Sequence, residues 1–128
     1  MGGRVFRVGF DSGVILFVAR DDILYEIALA GPFTFHPKPA HERTVDPRSS
    51  QVRELCDIID LREGGVTSCV VRKGGELELV FTGDRAISIA PNEDFDAWEI
   101  SGTDGSLVVA ISGGGIAAWN GEAKYPLG

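Results

Sequence analysis

The stretch GGELELVFTGDRAISIA, residues 74–90, decides the fold. Apolar residues occupy every second position of its two runs, and a Thr-Gly-Asp segment separates those runs. A period of two is typical of a strand with one buried face, and such a separator is typical of a tight turn. The stretch therefore predicts an antiparallel hairpin whose buried side chains are Leu77, Leu79, Phe81, Ile87 and Ile89.

The same pattern occurs earlier in the chain. Residues 3–36 slide without gaps onto residues 65–98, and both segments contain an apolar run, a turn with Asp and a second strand-like run. This predicts a duplicated meander of three strands. The identical positions are Gly3/Gly65, Val8/Val70, Gly13/Gly75, Val18/Val80, Asp22/Asp84, Ile27/Ile89, Ala28/Ala90 and Phe33/Phe95.

The segment between the two copies begins with a proline-rich part and continues with a helical pattern. Pro37 and Pro39 predict an extended surface connection. Asp46-Pro47 offers an N-cap followed by proline at the first helical position, and Gly64-Gly65 predicts the helix end. An amphipathic helix over residues 47–62 is therefore expected, with an apolar face formed by Val52, Leu55, Cys56 and Ile59.

These patterns predict a single α+β domain over residues 1–128. Its expected architecture is a strongly bent antiparallel β-sheet, or incomplete barrel, built from two similar meanders with the helix packed on it. The apolar run VILFVA is expected to lie centrally, under a helix or a second sheet. The predicted core comprises Val14, Leu16, Val18, Ile27, Leu55, Ile59, Leu77, Leu79, Phe81, Ile87, Ile89 and Val109.

A glycine-rich motif near the end, Gly113-Gly114-Gly115-Ile116-Ala117-Ala118, spells the G-x-G-x-x-A pattern of dinucleotide-binding turns. Such a turn needs a βαβ unit and a later acidic residue, for which the few remaining residues leave no room. The glycines instead predict a hairpin that joins strand 106–112 to strand 116–119 with positive φ angles. No cofactor is expected.

Composition narrows the possible partners and the compartment. The net charge of −7 argues against nucleic acid and suits a basic protein partner. No apolar run is long enough to span a membrane, and no signal peptide is recognisable at the first residues. Cys56 and Cys69 are expected to be buried thiols in a reducing compartment, which predicts a cytoplasmic protein.

Two acidic or histidine-containing segments imitate metal sites. His36 and His41, with Glu42 and Asp46, match no known ligand spacing, so solvated loop histidines are expected. Asn92, Asp94 and Asp96 resemble the start of a calcium loop, but Ala97 and Thr103 replace its turn glycine and its last glutamate. No metal site and no catalytic residues are predicted.

The best candidate binding residues are Asp94, Asp96, Trp98 and Trp119. Strand alternation from Asn92 onward would place Asp94, Asp96 and Trp98 on one face, an aromatic anchor within an acidic rim. The alternative is that both tryptophans fill the core, with Trp98 under the helix. A homodimer through an unpaired edge strand is also expected.

Residues 74–119 carry a resemblance to a known family. Gly75–Phe81, the Asp-Ala-Trp-Glu segment at 96–99, the Val-rich strand at 107–111 and Gly-Gly-Gly-x-Ala-x-Trp at 113–119 resemble a family of small bacterial domains of unknown function. The resemblance implies a β-rich fold with one helix and no assigned catalytic residues. Similar small acidic domains occur among immunity proteins that neutralise secreted toxins, which is a looser analogy.

Three functions compete at this point. The leading hypothesis is a non-catalytic protein-binding module, of the immunity type or regulatory, in the bacterial cytoplasm. The alternatives are a small-molecule binder with a pocket inside the bent sheet and, less favoured, an enzyme, because no nucleophile stands beside a base.

Overall fold

The computed structural model describes residues 3–10, 13–38, 41–47 and 52–119, and for residues 52–54, 63 and 119 it describes the backbone alone. Within these ranges the chain forms eleven strands, a short α-helix and a 3-10 helix. The elements are β1 (Gly3–Phe10), β2 (Val14–Arg20), β3 (Ile23–Leu29), β4 (Phe33–Lys38), β5 (His41–Val45), α1 (Val52–Ile59), the 3-10 helix (Asp60–Glu63), β6 (Gly65–Val71), β7 (Leu77–Phe81), β8 (Ala86–Ile89), β9 (Trp98–Gly102), β10 (Leu107–Ala110) and β11 (Ile116–Trp119).

All strands belong to one antiparallel sheet in the order β11-β10-β9-β3-β2-β1-β6-β7-β8-β4-β5. The sheet does not close, because β11 and β5 are its two ends. Its buried residues nevertheless form a single cluster that includes both halves of the sheet, so the sheet curves around one core. The predicted fold class, a bent antiparallel sheet with one helix, is confirmed.

Two meanders with the same strand order meet at the centre of the sheet. β1-β2-β3 and β6-β7-β8 each carry a bulge in the first strand, between Val5 and Arg7 and between Val66 and Ser68. The strand that follows each meander in the chain pairs with the other meander. β4 follows the first meander and pairs with β8, and β9 follows the second meander and pairs with β3. We call the strands from β11 to β1 the first half and those from β6 to β5 the second half.

The ungapped alignment of the two copies does not keep the strand register. It places Val18, which is 0% exposed and faces the core, on Val80, which points outward between the buried Leu79 and Phe81. The identical residues of β2 and β7 are therefore not structural equivalents. A common origin of the two meanders stays a prediction.

The core residues predicted in β2, β3, β7 and β8 are confirmed, and each of them is 0–1% exposed. Val109 is buried too, at 9% exposure, but it pairs with Glu99 and lies on the outer side of the sheet. The sequence missed several of the largest core side chains, among them Phe35, Trp98 and Leu61.

The helix was predicted too long and in the wrong phase. Pro47 lies in a turn, residues 48–51 lie outside the described residues, and α1 covers Val52–Ile59. Ile58 is fully buried whereas Ile59 is 41% exposed. The tighter 3-10 turn that follows changes the rotation per residue, so that the buried face runs through Ile58 and Leu61.

The predicted burial of Cys56 is also wrong, because this residue lies on the exposed side of α1, whereas Cys69 is buried as expected. An ion pair ties the helix to β5, with Arg43 Nη1 placed 2.9 Å from Asp57 Oδ2. The backbone N–H of Val5 donates to the Gly64 carbonyl at 3.0 Å and holds the end of the helical segment against β1.

The proline-rich part was predicted to be an extended surface connection, but it contains parts of β4 and β5, which belong to the sheet. Phe33, Phe35 and Val45 alternate with exposed or half-buried residues and enter the core. Pro37 is tolerated because it follows the last residue pair between β4 and β8 and lies in the irregular part of the β4–β5 ladder. The phenylalanine alternation was the signal that could have revealed β4.

The glycine-rich hairpin is confirmed. Gly113, Gly114 and Gly115 have φ angles of 85°, 109° and 91°, and they connect β10 to β11. These backbone conformations favour glycine, which explains the motif without a nucleotide. No helix in the described part of the chain is both long and apolar enough to cross a membrane.

Candidate functional site

The predicted anchor Trp98 is not on the surface. Its ring is 1% exposed, and its indole N–H donates to the Gly75 carbonyl oxygen at 2.7 Å. The alternation that placed Trp98 outward fails because β9 begins at Trp98 itself and the preceding acidic segment is not a strand. Trp98 is a core residue that joins β9 to the β6–β7 turn.

The two predicted aspartates lie in the exposed loop before β9. The Asp94 N–H donates to Asn92 Oδ1 at 2.8 Å, and the Ser112 N–H donates to Asp96 Oδ1 at 3.1 Å. The first contact forms a turn within the loop, and the second holds the loop against the segment that leads into the glycine-rich hairpin. A partner-binding role for Asp94 and Asp96 stays a prediction, without Trp98 as its anchor.

Trp119 lies in the terminal strand β11, where its backbone pairs with Leu107. Its side chain is outside the described part of the structure, so its predicted binding role stays a prediction.

The candidate metal ligands do not come together. His36 Nε2 lies 3.8 Å from Glu42 Oε2, and His41 is exposed at the start of β5. Among the described residues, no three His, Cys, Asp or Glu side chains are placed to hold a metal ion.

The outer side of the first half carries a surface that the sequence analysis did not single out. In an antiparallel sheet, directly paired residues point to the same side. Leu24, Ala28, Val109 and their paired neighbours point away from the core, and Leu24 is 49% exposed. We call this surface the apolar face; its apolar members are Phe6, Ile15, Phe17, Ala19, Leu24, Ala28, Leu107, Val109 and Ala117.

The outer side of the second half differs in chemistry although the strand arrangement is alike. Val70, which is 39% exposed, is its most exposed large apolar residue. Most of the other outward positions are polar, and the Glu78 carboxylate accepts a hydrogen bond from Arg72 Nη2 at 2.7 Å. We call this surface the polar face; it comprises Thr34, His36, Thr44, Ser68, Val70, Glu78, Val80, Ala86 and Ser88.

An open cavity of about 270 Å³ indents the apolar face. The rings of Phe6 and Phe17 form one wall, with centroids 6.1 Å apart and planes tilted by 53°. Phe6 reaches this side because it is the extra residue of the β1 bulge, between Val5 and Arg7. Leu24, Tyr25 and Glu26 from β3 and Thr103 after β9 line the remaining sides.

Charges of opposite sign lie at the two sides of the apolar face, with Arg7 on β1 and with Glu26 and Glu99 on β3 and β9. The Arg7 guanidinium carbon lies 5.0 Å from the centroid of the Phe17 ring, a cation–π contact. Glu26 pairs with Phe17 across β2 and β3, and Glu99 pairs with Ala28 across β3 and β9. Within the described residues, neither carboxylate forms an ion pair or a side-chain hydrogen bond, and both are exposed.

The end of the cavity at the β9–β10 turn is closely packed. A Cβ added at Gly102 would lie 2.6 Å from Asp104 Oδ1 and 2.9 Å from the Tyr25 ring, so only glycine fits between them. Burial raises the pKa of the Tyr25 hydroxyl, the Asp104 and Asp21 charges raise it further, and Arg20 opposes this. Hydrogen bonds from the Ser106 hydroxyl and N–H lower the pKa of Asp104.

A second open cavity, of about 240 Å³, lies between Pro32, Asn92 and Phe95. Phe95 fills much of the space above Gly31, since a Cβ at Gly31 would lie 3.2 Å from the Phe95 ring. This cavity borders the loop that contains Asp94 and Asp96, but its partly buried aromatic ring packs against the protein itself.

One sequence signal could have found the apolar face. The run VILFVA in β2 is apolar on both sides, and its inward residues Val14, Leu16 and Val18 fill the core. The expected central position of this strand in the sheet is confirmed. The outward residues Ile15 and Phe17 remain half-buried, and no described helix or second sheet lies over them.

Fold and surface together define an antiparallel single-sheet domain with one short helix. The chain belongs to a family of unknown function, DUF6188, whose model matches residues 1–120. No curated protein matches the chain, and no solved structure does.

Proposed function

We propose that this domain is a non-catalytic module that binds another protein through the apolar face. The observation that carries the proposal is the difference between the two outer sides of one sheet. The polar face has the composition of an ordinary solvated sheet surface, whereas the apolar face presents contiguous aliphatic and aromatic side chains. Contiguous, partly exposed apolar surface of this kind is typical of interaction sites.

The charges support a partner with basic residues. The chain carries a net charge of −7, which steers basic proteins toward it. Glu26 and Glu99 lie within the apolar face, so a partner that covers the face must also neutralise these carboxylates.

The groups with shifted pKa values support a non-catalytic role. Burial raises the pKa of the Cys69 thiol to about 12, which keeps it protonated and unreactive at neutral pH. The pKa shifts of Tyr25 and Asp104 have equally structural causes, namely burial and a turn hydrogen bond. A catalytic thiol or acid–base pair would instead be tuned toward neutral pH.

A small molecule in the cavity of about 270 Å³ is the second candidate. The inner side of the sheet, where a ligand pocket was expected, is filled by side chains such as Leu16, Leu79 and Ile100, each 0–1% exposed. Among the described residues, two open cavities remain for a ligand, and the one of about 270 Å³ lies in the apolar face.

The proposed setting is the bacterial cytoplasm, with a regulatory or immunity-type role. The buried thiol of Cys69 supports a reducing compartment.

A matched pair of surface variants tests the proposal. Leu24→Ser removes a 49% exposed side chain from the apolar face, and Val70→Ser removes a 39% exposed side chain from the polar face. Each variant is used to capture proteins from extracts of the source cells, and amide hydrogen exchange then maps the captured complex. We expect Leu24→Ser to lose a protein that the wild type and Val70→Ser retain, with new protection in β2, β3 and β9.

Three outcomes would overturn the proposal. Protection confined to β7 and β8 would place the contact on the polar face. A bound metabolite in native mass spectra that disappears in Leu24→Ser would identify a small-molecule site. Sedimentation that shows a dimer dispersed by Leu24→Ser would identify a second copy of this chain as the occupant.

A further inference from the structure

We infer that the cavity in the apolar face receives one lysine or arginine side chain of the partner protein, with its charged end at Glu26. This inference rests on the proposed function and names the chemistry of the partner residue that would anchor it. Three features of the cavity support it: its size, its walls and its charge.

The size fits one long side chain. At about 270 Å³ the cavity is smaller than most sites for drug-sized ligands, which span roughly 300–1,000 Å³. A pocket that takes a single anchoring side chain of a partner is a common form of protein–protein hot spot.

The walls suit the stem of a basic side chain. Phe6, Phe17 and Leu24 offer apolar surface along one side, against which the methylenes of lysine or arginine can pack. Arg7 shows that the Phe17 ring accepts a cation, because its guanidinium carbon already lies 5.0 Å from the ring centroid.

The charge of Glu26, next to these apolar walls, selects a cation. Glu26 lies beside Phe17 in the sheet register, and in the described structure no basic side chain pairs with it. A partner that covered this carboxylate without neutralising it would bury an uncompensated charge, which is costly.

Arg7 sets the orientation of the partner. It lies across β2 from Glu26, so the face is positive on the β1 side and negative on the β3 and β9 side. A partner segment that places its basic residue at Glu26 gains further from an acidic residue near Arg7, and the reversed orientation opposes like charges.

Random peptides displayed on phage, selected on the 128-residue chain and counter-selected on its Leu24→Ser variant, provide the probe. The selected peptides are synthesised with each lysine or arginine in turn replaced by norleucine, which keeps the stem and removes the charge. We expect one such replacement to weaken binding about tenfold, equivalent to ~1.4 kcal/mol. On Glu26→Gln the same replacement should change binding by less than about twofold, because the charge partner is already gone.

Glu93→Gln is the matched control, since it removes one exposed carboxylate from the loop before β9 and lies outside the cavity. It should behave like the wild type in every titration. Selected peptides that bind the apolar face but are insensitive to norleucine would overturn the inference while the proposed function stands. Equal norleucine effects on wild type and Glu26→Gln would overturn it in the same way.

One further result would contradict both proposals, and another would change the source of the basic residue. If no selected peptide distinguished the wild type from Leu24→Ser, both the inference and the proposed function would be wrong. Residues 121–128 include Lys124, and peptide binding that appeared only after their removal would identify the chain itself, instead of a partner, as the source of the basic residue.

Discussion

At the scale of single residues, Trp98 joins the two halves of the sheet. It opens β9, which belongs to the first half, and its indole N–H donates to Gly75 in a turn of the second half at 2.7 Å. Trp98→Phe would empty part of the site and leave the buried Gly75 carbonyl without its donor. We expect a loss of about 2 kcal/mol in unfolding free energy, measured by urea denaturation. A loss below about 0.5 kcal/mol would show that this bond does not connect the halves.

The two cysteines should differ in reactivity. Cys56 is exposed on α1, whereas Cys69 is 7% exposed and burial raises its pKa to about 12. A thiol reagent at mildly alkaline pH should therefore modify Cys56 in the native chain, and Cys69 only after unfolding. In Cys56→Ser the native protein should not react; rapid modification there would contradict the buried position of Cys69.

The raised pKa of Cys69 also makes the stability of the fold depend on pH. Folding favours the protonated thiol. Its contribution to the free energy of unfolding is therefore complete below pH 9.0, the ordinary pKa of a thiol, and is lost as the pH rises toward about 12. Urea midpoints of the wild type should fall over that range more steeply than those of Cys69→Ala.

The hydrogen bond from Ser106 should hold the pKa of Asp104 low. The Ser106 hydroxyl donates to Asp104 Oδ1 at 2.6 Å and lowers the pKa of that carboxyl. In Ser106→Ala the pKa of Asp104 should rise toward its ordinary value, as followed by NMR titration of its side-chain carbon. An unchanged titration would show that the turn N–H alone holds the charge.

Single residues also show where sequence reasoning ends. Leu77, Leu79 and Phe81 could be placed in the core because alternation within a strand depends on local geometry alone. Trp98 could not, because its burial depends on where β9 begins and on a turn 23 positions earlier in the chain.

At the scale of elements, two adjacent isoleucines test the phase of α1. Ile58 is 0% exposed and Ile59 is 41% exposed, although the sequence periodicity favours Ile59 as the core residue. Ile58→Ala should cost about 2–4 kcal/mol in unfolding free energy, and Ile59→Ala less than about 1 kcal/mol. Thermal and urea unfolding of both variants measure the difference. A larger loss for Ile59→Ala than for Ile58→Ala would support the helix face predicted from the sequence, with Ile59 in the core.

Two adjacent glycines test the contact between turns. Gly75 has a φ of 103°, and a Cβ there would lie 2.9 Å from the Gly115 carbonyl oxygen, whereas a Cβ at Gly74 meets nothing within 4 Å. Gly75→Ala should therefore lose about 2 kcal/mol or more, and Gly74→Ala should stay within about 0.5 kcal/mol of the wild type. Equal effects would show that the β6–β7 turn and the glycine-rich hairpin do not depend on close approach.

Elements were predictable where one local pattern sufficed. The β7–β8 hairpin and the glycine-rich hairpin carry both strand periodicity and turn residues. β4 and β5 were missed because prolines dominate their segment, and the helix phase was missed because the final turn changes from α to 3-10 geometry.

At the scale of the whole molecule, the single core predicts a single unfolding transition. Buried residues from both halves belong to one cluster, and each meander is extended by a strand that follows the other meander in the chain. Tryptophan fluorescence and far-UV circular dichroism should therefore give coincident urea transitions. Two separated transitions would show that the halves fold independently.

The outer sides of the sheet mark the limit of sequence-based prediction at this scale. The acidic charge and the apolar β2 could be read directly, but the apolar face needs the register of β3, β9 and β10 beside β2. That register joins segments distant in the chain, and no local pattern encodes it.

The reciprocal placement of β4 and β9 has a consequence for the chain as the ribosome makes it. When the first meander emerges, β3 has no neighbour on its outer edge until Trp98–Gly102 has been synthesised, and β4 must wait for β8. The nascent chain thus carries bare strand edges for most of its synthesis, and its sheet can be completed only late. Synthesis on crowded polysomes should therefore expose this protein to edge-to-edge association between neighbouring nascent chains at the edges of β3 and β4, which are covered in the finished sheet.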